Sequence, residues 1–248
     1  MPPQTRTPPS IIGIDVSSHQ PPARVPWEAL RDAGKASFAF MRTGYGIGPD
    51  ETFTAHVKRA RAAGVELIGG YHAARPTRPI MDQVDILSRQ ADAVGGEIVP
   101  VLDLETMDDR TPRQVADFAL EFVVHVEERF RRPCVFYTYP WYASMLPLAR
   151  ELADRPLWIA HYLVMAPNVP KPWKQWTIHQ YDGDGAERAP SLNGPGMDLD
   201  FNRFRGTVQA LRNALRGPVR PVPDPLPPAV HDADQGVCLP PPLICEEP

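Results

Sequence analysis

The sequence has little cysteine and no long apolar run. Three cysteines in 248 residues exclude a small domain held together by a framework of disulfides. No stretch approaches the ~20 consecutive apolar residues that a membrane-spanning helix requires. Residues 1–10 are polar and proline-rich without an apolar segment, so we expect no secretory signal there. Three explanations stay open for this absence: export by another route, action inside the cell, or a leader missing from this sequence.

A surplus of positive charge is also missing. The chain has 26 basic and 30 acidic residues, and residues 217–248 contain one basic and five acidic residues. That segment accounts for the whole net charge of −4, which leaves the rest of the chain neutral. Because a neutral body has no basic field to attract a polyanion, the sequence argues against a nucleic-acid partner.

Proline is abundant instead, and much of it lies at the two ends of the chain. Of 31 prolines, ten fall in residues 217–248 and four in the first ten residues. We therefore divide the chain into a proline-rich arm (1–10), one domain (11–216) and a proline-rich acidic tail (217–248). Cys238 and Cys245 lie in this tail, where they could pair in an oxidising compartment or stay reduced.

Eight short apolar segments with strand character run through the domain, and helical segments separate most of them. The longest predicted helix begins at Thr111-Pro112, an N-cap and first-turn pair, and ends near Phe130. Strands that alternate with helices predict an α/β fold with a parallel sheet, and eight of them predict a closed, TIM-like β/α barrel. The last two linkers resemble loops, so we expect an incomplete ring of helices. The predicted strands cover residues 11–16, 37–42, 65–71, 98–105, 134–138, 157–161, 176–181 and 197–201.

The fourth predicted strand ends in two carboxylates, Asp103 and Glu105. Alternate residues of a strand point to the same face, so these acids share a face about 6.6 Å apart along the chain. Like charges held close together are unfavourable, so a purely structural pair is a poor explanation. The alternative is that one acid caps the next helix while the other lies in solvent. Taken alone, the motif fits both interpretations.

A barrel of this type carries its functional site at the carboxyl ends of its strands. Carboxylates and aromatic rings converge there with almost no basic residues, a combination that suits an uncharged, ring-shaped substrate such as a sugar and acid-assisted bond cleavage. Each residue also has a plainer explanation: an aspartate as a turn or cap residue, a tyrosine as rim packing, a histidine as a core residue. The candidates at this mouth are Asp15, His19, Tyr71, Asp103, Glu105, Tyr137, Gln180, Tyr181, Asp198 and Asp200.

Short motifs occur in a characteristic order along the domain. They are GIDVSSHQ at 13–20, GYH at 70–72, LDLE at 102–105, YT at 137–138, LWIA at 157–160, QY at 180–181 and LDFNRFRG at 199–206. In this order they resemble glycoside hydrolase family 25, the muramidases typified by Chalaropsis-type lysozymes and many phage endolysins. The resemblance implies a flattened, helix-poor β/α barrel that cleaves the β-1,4 bond between N-acetylmuramic acid and N-acetylglucosamine in peptidoglycan.

The same resemblance implies roles for the acids. Glu105 matches the general acid of the family, Asp103 matches its partner in the D-x-E motif, and Asp15 and Asp200 match the flanking acids of the pocket. The remaining candidates at the mouth are expected to bind substrate. Neighbouring acids should disfavour ionisation of Glu105, which predicts a raised pKa for its carboxyl. The spacing of ~6.6 Å does not decide between retaining, inverting and substrate-assisted cleavage.

Three alternatives remain open. One is another barrel glycosidase, such as a chitinase-like enzyme that also ends a strand in D-x-E. A second is a metal-dependent hydrolase that uses His72, His161 and His179, although no close pair of ligands occurs on one strand. The third is a non-catalytic module that binds the cell wall. We expect no cofactor or metal, peptidoglycan as the partner, and extracytoplasmic action; docking of the tail to a phage- or injection-type assembly is a further hypothesis.

Overall fold

The strands of the protein close into a barrel. The computed structural model describes residues 10–183 and 198–217. Its strands are β1 (Ser10–Val16), β2 (Phe38–Tyr45), β3 (Gly48–Pro49), β4 (Leu67–Ala73), β5 (Val99–Asp103), β6 (Val135–Thr138), β7 (Leu157–Ala160), β8 (Ile178–Asp182) and β9 (Asp200–Arg205). Strand β1 pairs with both β2 and β9, which closes a barrel of eight strands, while the short β3 pairs with the end of β2. The predicted α/β barrel is confirmed.

The last strand runs against its neighbours. Strand β9 is antiparallel to β1 and β8, whereas the other adjacent barrel strands are parallel. The prediction of a wholly parallel sheet is wrong here, and the predicted segment 197–201 begins too early. A reversed strand starts at the end of the barrel where β8 stops, so it needs no crossover helix. Asp200 therefore lies at the same end of the barrel as the carboxyl ends of the parallel strands, opposite Asp15 in register.

Helices occupy most of the connections between strands. They are α1 (Trp27–Asp32), α2 (Phe53–Ala62), α3 (Ile80–Val94), α4 (Pro112–Phe130), α5 (Pro140–Ser144) and α6 (Val208–Leu215), with a 3₁₀ turn at Arg150–Asp154. Helix α4 begins as predicted, because Thr111 and Gln114 cap its first turn reciprocally. Residues 161–177, between β7 and β8, contain no helix, so the ring is incomplete as expected.

Large aromatic residues fill the lumen of the barrel. Phe38, Phe40 and Trp158 are almost completely buried there, and the rings of Phe40 and Trp158 stack with centroids 4.7 Å apart. Glycines on neighbouring strands make the room for them. A Cβ at Gly69 would lie 2.1 Å from the ring of Phe40, and one at Gly13 would lie 2.5 Å from the ring of Phe38. The lumen is thus a packed core and not a channel.

Helix α6 covers the end of the barrel opposite the carboxyl ends of the parallel strands. Leu211 and Leu215 are fully buried against the residues of the lumen. Just beyond the helix, Arg216 forms an ion pair with Glu97, which also pairs with Arg132. One end of the barrel is therefore closed by apolar and ion-paired side chains, and a ligand must approach from the other end.

Some sequence-based expectations fall outside the described part of the chain. Residues 1–9, 184–197 and 218–248, including Cys238 and Cys245, are not among the described residues. The elements of the barrel run from Ser10 to Leu215, and the division into arm, domain and tail stays a prediction. Among the described helices, none is long and apolar enough to cross a membrane.

Candidate active site

Acidic side chains meet at the open end of the barrel. Asp15 is the sixth residue of β1, and Asp103 is the last residue of β5. Asp103 lies opposite Tyr137 of β6 in register. Asp200 joins this layer opposite Asp15 because β9 is reversed. The fold therefore brings together three of the acids that the sequence analysis selected, and Glu105 lies two residues beyond the end of β5.

A network of hydrogen bonds fixes Asp15, which is only 6% exposed. Its Oδ2 accepts from the side-chain amides of Gln180 at 2.9 Å and Asn202 at 2.7 Å. Gln180 Oε1 in turn accepts from the hydroxyls of Tyr137 at 2.8 Å and Tyr162 at 2.9 Å. Because Asp15 Oδ2 and Gln180 Oε1 each accept two hydrogen bonds, the carboxyl of Asp15 is held in one orientation.

Asp103 and Glu105 form a hydrogen-bonded pair of carboxyls. Asp103 is 8% exposed, whereas Glu105 is exposed to solvent. The backbone continues to pair beyond β5, since Leu104 N donates to Tyr137 O at 3.1 Å. Two carboxyls can share a hydrogen bond only when one of them carries a proton. The pair therefore joins a buried acid to an accessible one.

The pKa values of Asp15, Asp103 and Glu105 are all raised. For Asp15 the main cause is burial, followed by the nearby charge of Asp200, and these outweigh the amide hydrogen bonds. Burial also raises the pKa of Asp103, and the neighbouring charge of Glu105 and the hydrogen bond to it act in the same direction. For Glu105 the protein displaces hydration from the carboxyl and raises its pKa, while the hydrogen bond from Asp103 opposes the rise. The direction at Glu105 is as predicted, but loss of hydration is the cause and not the charges of neighbouring acids.

The loop that carries Glu105 is anchored on both sides. Tyr142 of α5 donates its hydroxyl to Thr106 O at 2.6 Å. Asp108 N donates to Thr106 Oγ1 at 3.2 Å, and the Asp108 carboxylate pairs with Arg75 from the loop after β4. These contacts hold the residues that follow Glu105, so the fold restrains the backbone that carries its side chain.

One cation lies close to the acids. Arg42, near the end of β2, donates from Nε to Asp50 Oδ2 at 2.9 Å and from Nη2 to Ser18 Oγ at 2.6 Å. Its charge lowers the pKa of Asp103, although this effect is smaller than those that raise it. Sequence reasoning did not select Arg42, although it stands at the end of the second predicted strand, where its position could have indicated it.

A cleft of about 780 Å³ opens beside Glu105. Tyr139 and Trp141, at the start of α5, line one part of it, and His161 and Tyr162, from the loop after β7, line another. This volume lies within the range of ligand-binding pockets, which is about 300–1,000 Å³. Glu105 thus faces an open cleft, lined in part by aromatic rings, that can hold an extended ligand.

The sequence matches the model of glycosyl hydrolases family 25 over residues 14–188. The chain belongs to this family. The matched range covers more than half of the chain and includes Asp15, Asp103 and Glu105. The resemblance drawn from the ordered motifs is confirmed, and the chain is a glycoside hydrolase.

Relatives of this family 25 chain include bacterial and fungal lysozymes. Lysozyme M1 from Streptomyces globisporus is 29% identical over 214 residues, which cover 81% of this chain and 70% of that protein. A family GH25 lysozyme from Aspergillus fumigatus superposes with a TM-score of 0.72 at 27% identity, over 84% of this chain and 100% of that one. A lysozyme from Streptomyces coelicolor gives a TM-score of 0.70 at 28% identity, over 83% and 96%.

Three of the six residues expected to bind substrate lie inside the mouth of the family 25 barrel. Tyr137 and Gln180 are buried and belong to the network that holds Asp15. Tyr71 is half-buried, with its ring edge-on to Trp158 at a centroid distance of 6.1 Å. Tyr137 and Gln180 therefore help to hold Asp15 in place, and Tyr71 forms part of the surroundings of the acids.

Tyr181 points away from the mouth, which corrects the expectation that it lines the site. Side chains alternate along a strand, so the inward position of Gln180 places Tyr181 on the outer face. Its ring packs against the core outside the barrel, and the guanidinium of Arg203 lies 5.0 Å from the ring centroid.

His19 and Asp198 lie in exposed loops at the rim. The contact described for His19 is made by its backbone, whose N–H donates to Ser17 Oγ at 3.2 Å. The carbonyl oxygen of Asp198 accepts from Gln20 Nε2 at 2.7 Å, which ties the loop after β1 to the start of β9. Neither side chain joins the hydrogen-bonded acids, and a role in substrate binding stays a prediction for both.

The three histidines considered as metal ligands occupy different environments. His72 and His179 are fully buried, and burial lowers the pKa of each to about 4. The ring of His72 packs beside Phe122 with centroids 6.0 Å apart, whereas His161 lines the cleft. Within residues 10–183 and 198–217, no three His, Cys, Asp or Glu side chains are grouped so that they could hold a metal ion.

Sequence reasoning missed two members of the acid network. Asn202 binds Asp15 and also accepts from Trp158 Nε1 at 2.7 Å. It stands two residues after Asp200 on β9, so strand alternation could have placed both on one face. Tyr162 lies in a loop, where no periodicity indicates direction, and its bond to Gln180 follows from the tertiary structure alone.

Proposed function

We propose that this family 25 chain is a muramidase, which cleaves the β-1,4 bond between N-acetylmuramic acid and N-acetylglucosamine of peptidoglycan. The observation that carries the proposal is a pair of carboxyls, Asp103 and Glu105, whose pKa values are both raised, with Glu105 at an open cleft lined in part by aromatic rings. A general acid must still hold its proton near the working pH and must reach the substrate, and this pair combines both properties. The names of the similar proteins, which are lysozymes, support the same activity. As a lysozyme-type glycosidase the chain acts on the cell wall, outside the cytoplasm.

In the proposed reaction, Glu105 is the residue that delivers the proton. It protonates the bridging oxygen as the bond from that oxygen to the anomeric carbon breaks, and the leaving sugar departs with a hydroxyl group. The proton stored at rest on Asp103 can reach Glu105 along their hydrogen bond. Water then adds its hydroxide to the anomeric carbon and returns a proton to the pair, which restores the starting state.

Asp103 is not placed to act from the opposite face of the sugar. Two carboxyls that flank a glycosidic bond lie about 5–9.5 Å apart, whereas those of Asp103 and Glu105 are in hydrogen-bond contact. We assign to Asp103 the storage of the proton and the orientation of Glu105. The opposite face is then left to Asp15, to Asp200, or to the acetamido oxygen of the substrate itself.

In its ionised form, which the hydrogen bonds from Asn202 and Gln180 favour, Asp15 is suited to stabilise positive charge that develops at the anomeric carbon. Its carboxyl is fixed by Gln180 and Asn202 before substrate arrives, so no reorganisation is required during the reaction. Asp200, which lies opposite it in register, is proposed as the second flanking acid of the pocket.

Mass spectrometry of the fragments released from purified cell walls tests this function. We expect soluble fragments that end in a reducing N-acetylmuramic acid, which borohydride converts to N-acetylmuramitol. Fragments that end in reducing N-acetylglucosamine, or peptide release without new reducing ends, would contradict the proposal. Chitin oligosaccharides serve as the comparison substrate, because faster cleavage of these would favour a chitinase-like enzyme instead.

We propose separately that the proline-rich tail docks the enzyme onto a larger phage- or injection-type assembly. Its proline content favours an extended arm, and its acidic character suits a basic partner surface. Removal of residues 218–248 keeps the pair between Arg216 and Glu97 and should leave the hydrolysis of isolated walls unchanged. We expect that the truncated enzyme no longer co-purifies with phage- or injection-type particles. Co-purification equal to that of the full-length enzyme would exclude this role.

A further inference from the structure

Trp141 is a large apolar side chain exposed at the start of α5. Its side chain is 66% exposed, whereas the next residue, Tyr142, is buried. Trp141 does not belong to any of the hydrophobic clusters of the described residues. A single exposed apolar residue requires no explanation by itself, so the surroundings of Trp141 decide whether it has a function.

Trp141 lines the same cleft as Glu105. The planes of Trp141 and Tyr139 are inclined by only 13°, with ring centroids 6.2 Å apart. The two rings are therefore stacked nearly parallel and together form an aromatic wall of the cleft. A pyranose ring presents C–H groups on its faces, and such a face packs well on an aromatic ring because it buries apolar surface without loss of hydroxyl hydrogen bonds.

The wall is held at a fixed distance from the acid. Pro140 occupies the first turn of α5 and so restricts the backbone next to Trp141. Tyr142 donates its hydroxyl to Thr106 O at 2.6 Å, and Thr106 directly follows Glu105. One hydrogen bond thus links the helix that carries the indole to the loop that carries the acid. An aromatic wall restrained in this way loses little conformational entropy when a ligand binds.

The loop after β7 forms another wall of the cleft and is also fixed. His161 Nδ1 accepts from Asn168 N at 3.1 Å, so the neutral ring carries its proton on Nε2 as a donor. Arg203 Nη2 donates to the carbonyl oxygens of Val164 at 2.9 Å and Met165 at 2.7 Å. The cleft thus combines a flat apolar surface on α5 with a polar donor on a restrained loop, as a sugar ring requires.

We propose that Trp141 is a substrate-binding residue that stacks on a sugar ring in a subsite next to the cleaved bond, with His161 as a polar contact in that subsite. The inference rests on the proposed muramidase function and extends it. The stacking contact is equally strong before and during proton transfer from Glu105, so Trp141 sets the affinity for the glycan strand and not the rate of bond cleavage.

Tryptophan fluorescence tests binding directly. The probe is the purified tetrasaccharide of alternating N-acetylglucosamine and N-acetylmuramic acid, titrated into Glu105→Gln so that no turnover occurs. Of the five tryptophans, only Trp141 is exposed, so we expect a blue shift of emission that disappears in Trp141→Phe. We expect the Kd to rise about tenfold in Trp141→Ala and less in Trp141→Tyr, which keeps a flat ring.

Steady-state kinetics on cell walls distinguish a substrate-binding role of Trp141 from a structural one. In the otherwise native enzyme, Trp141→Ala should raise KM about tenfold and leave kcat close to that of the wild type, with partial recovery in Trp141→Tyr. Met81→Ala is the matched control, because Met81 is also an exposed apolar side chain but does not line this cleft. An unchanged KM and Kd in Trp141→Ala would overturn the inference, as would a fall of kcat at constant KM. If the wild type released no fragments ending in muramic acid, the proposed function would fail first, independently of Trp141.

Discussion

Glu105→Gln is expected to lose hydrolysis of purified cell walls, with kcat at least about a thousandfold below that of the wild type. Glutamine keeps the shape of the side chain and can still accept the hydrogen bond from Asp103. Its amide has no proton that it can transfer to the bridging oxygen, so the departure of the leaving sugar is no longer assisted. Glu105 is exposed and outside the core, and the Tm should stay that of the wild type. Release of reducing ends from isolated peptidoglycan measures the rate.

A matched control separates this effect from the loss of any surface carboxylate. Glu121→Gln makes the same chemical change at a side chain that is 61% exposed on α4, and we expect full activity. Turnover of Glu105→Gln within about tenfold of the wild type would exclude Glu105 as the proton donor. Asp103 would then be the remaining carboxyl of the pair that could supply the proton.

Asp103→Asn is expected to lose about a hundredfold in kcat and at the same time to raise the Tm at pH 7. The substitution removes the store of the proton but preserves a side chain that can donate a hydrogen bond to Glu105. It also removes an acid that burial, the charge of Glu105 and the hydrogen bond to Glu105 all disfavour in its ionised form. Activity and stability should therefore change in opposite directions, as occurs where an active site is built at the expense of stability.

The sign of the stability effect depends on pH. In the unfolded chain Asp103 ionises near its ordinary pKa of about 3.9, whereas in the folded protein its pKa is raised well above that value. Between these two values the folded state binds a proton that the unfolded state has released, so stability falls as the pH rises through this window. Asparagine has no such ionisation. We expect a gain in Tm of about 2–4 °C at pH 7 for each kcal/mol regained and no gain below about pH 4.

Asp117→Asn provides the control for this second prediction. Asp117 is 55% exposed on α4 and forms a surface ion pair with Arg113, which contributes little to stability. We expect its Tm to match that of the wild type at both pH values. A lower Tm of Asp103→Asn at pH 7 would show that the folded protein contains ionised, favourably bound Asp103, and would contradict the proton store.

Much of the barrel could be predicted from local patterns. Short apolar strands that alternate with amphipathic helices are recognisable because burial imposes a period on the sequence. The start of α4 at Thr111 was visible because a cap residue is followed directly by a proline. The same logic selected Asp15, Asp103 and Glu105, since strand ends on a barrel face a common mouth.

The direction of β9 could not be predicted from local patterns. A segment of five or six residues carries the same alternation whether it runs parallel or antiparallel to its neighbours, so periodicity could not reveal the reversal. Asp200 was selected as the end of a parallel strand, and it reaches the mouth because it is the start of an antiparallel one. Tyr181 shows the opposite case, since a side chain at the correct end of β8 points outwards when its neighbour Gln180 points in.

By itself, the sequence determined the fold class and the family and indicated the candidate acids, because these depend on residue types in a fixed local order. The tertiary structure alone decided how those acids behave. Asp15 is held by Gln180, 165 residues away in the sequence, and by Asn202, 187 residues away. The pKa of Glu105 rises through loss of hydration, and the indole of Trp141 shares its cleft. Hydration and contact between distant segments are properties of the folded surface, so no local pattern encodes them.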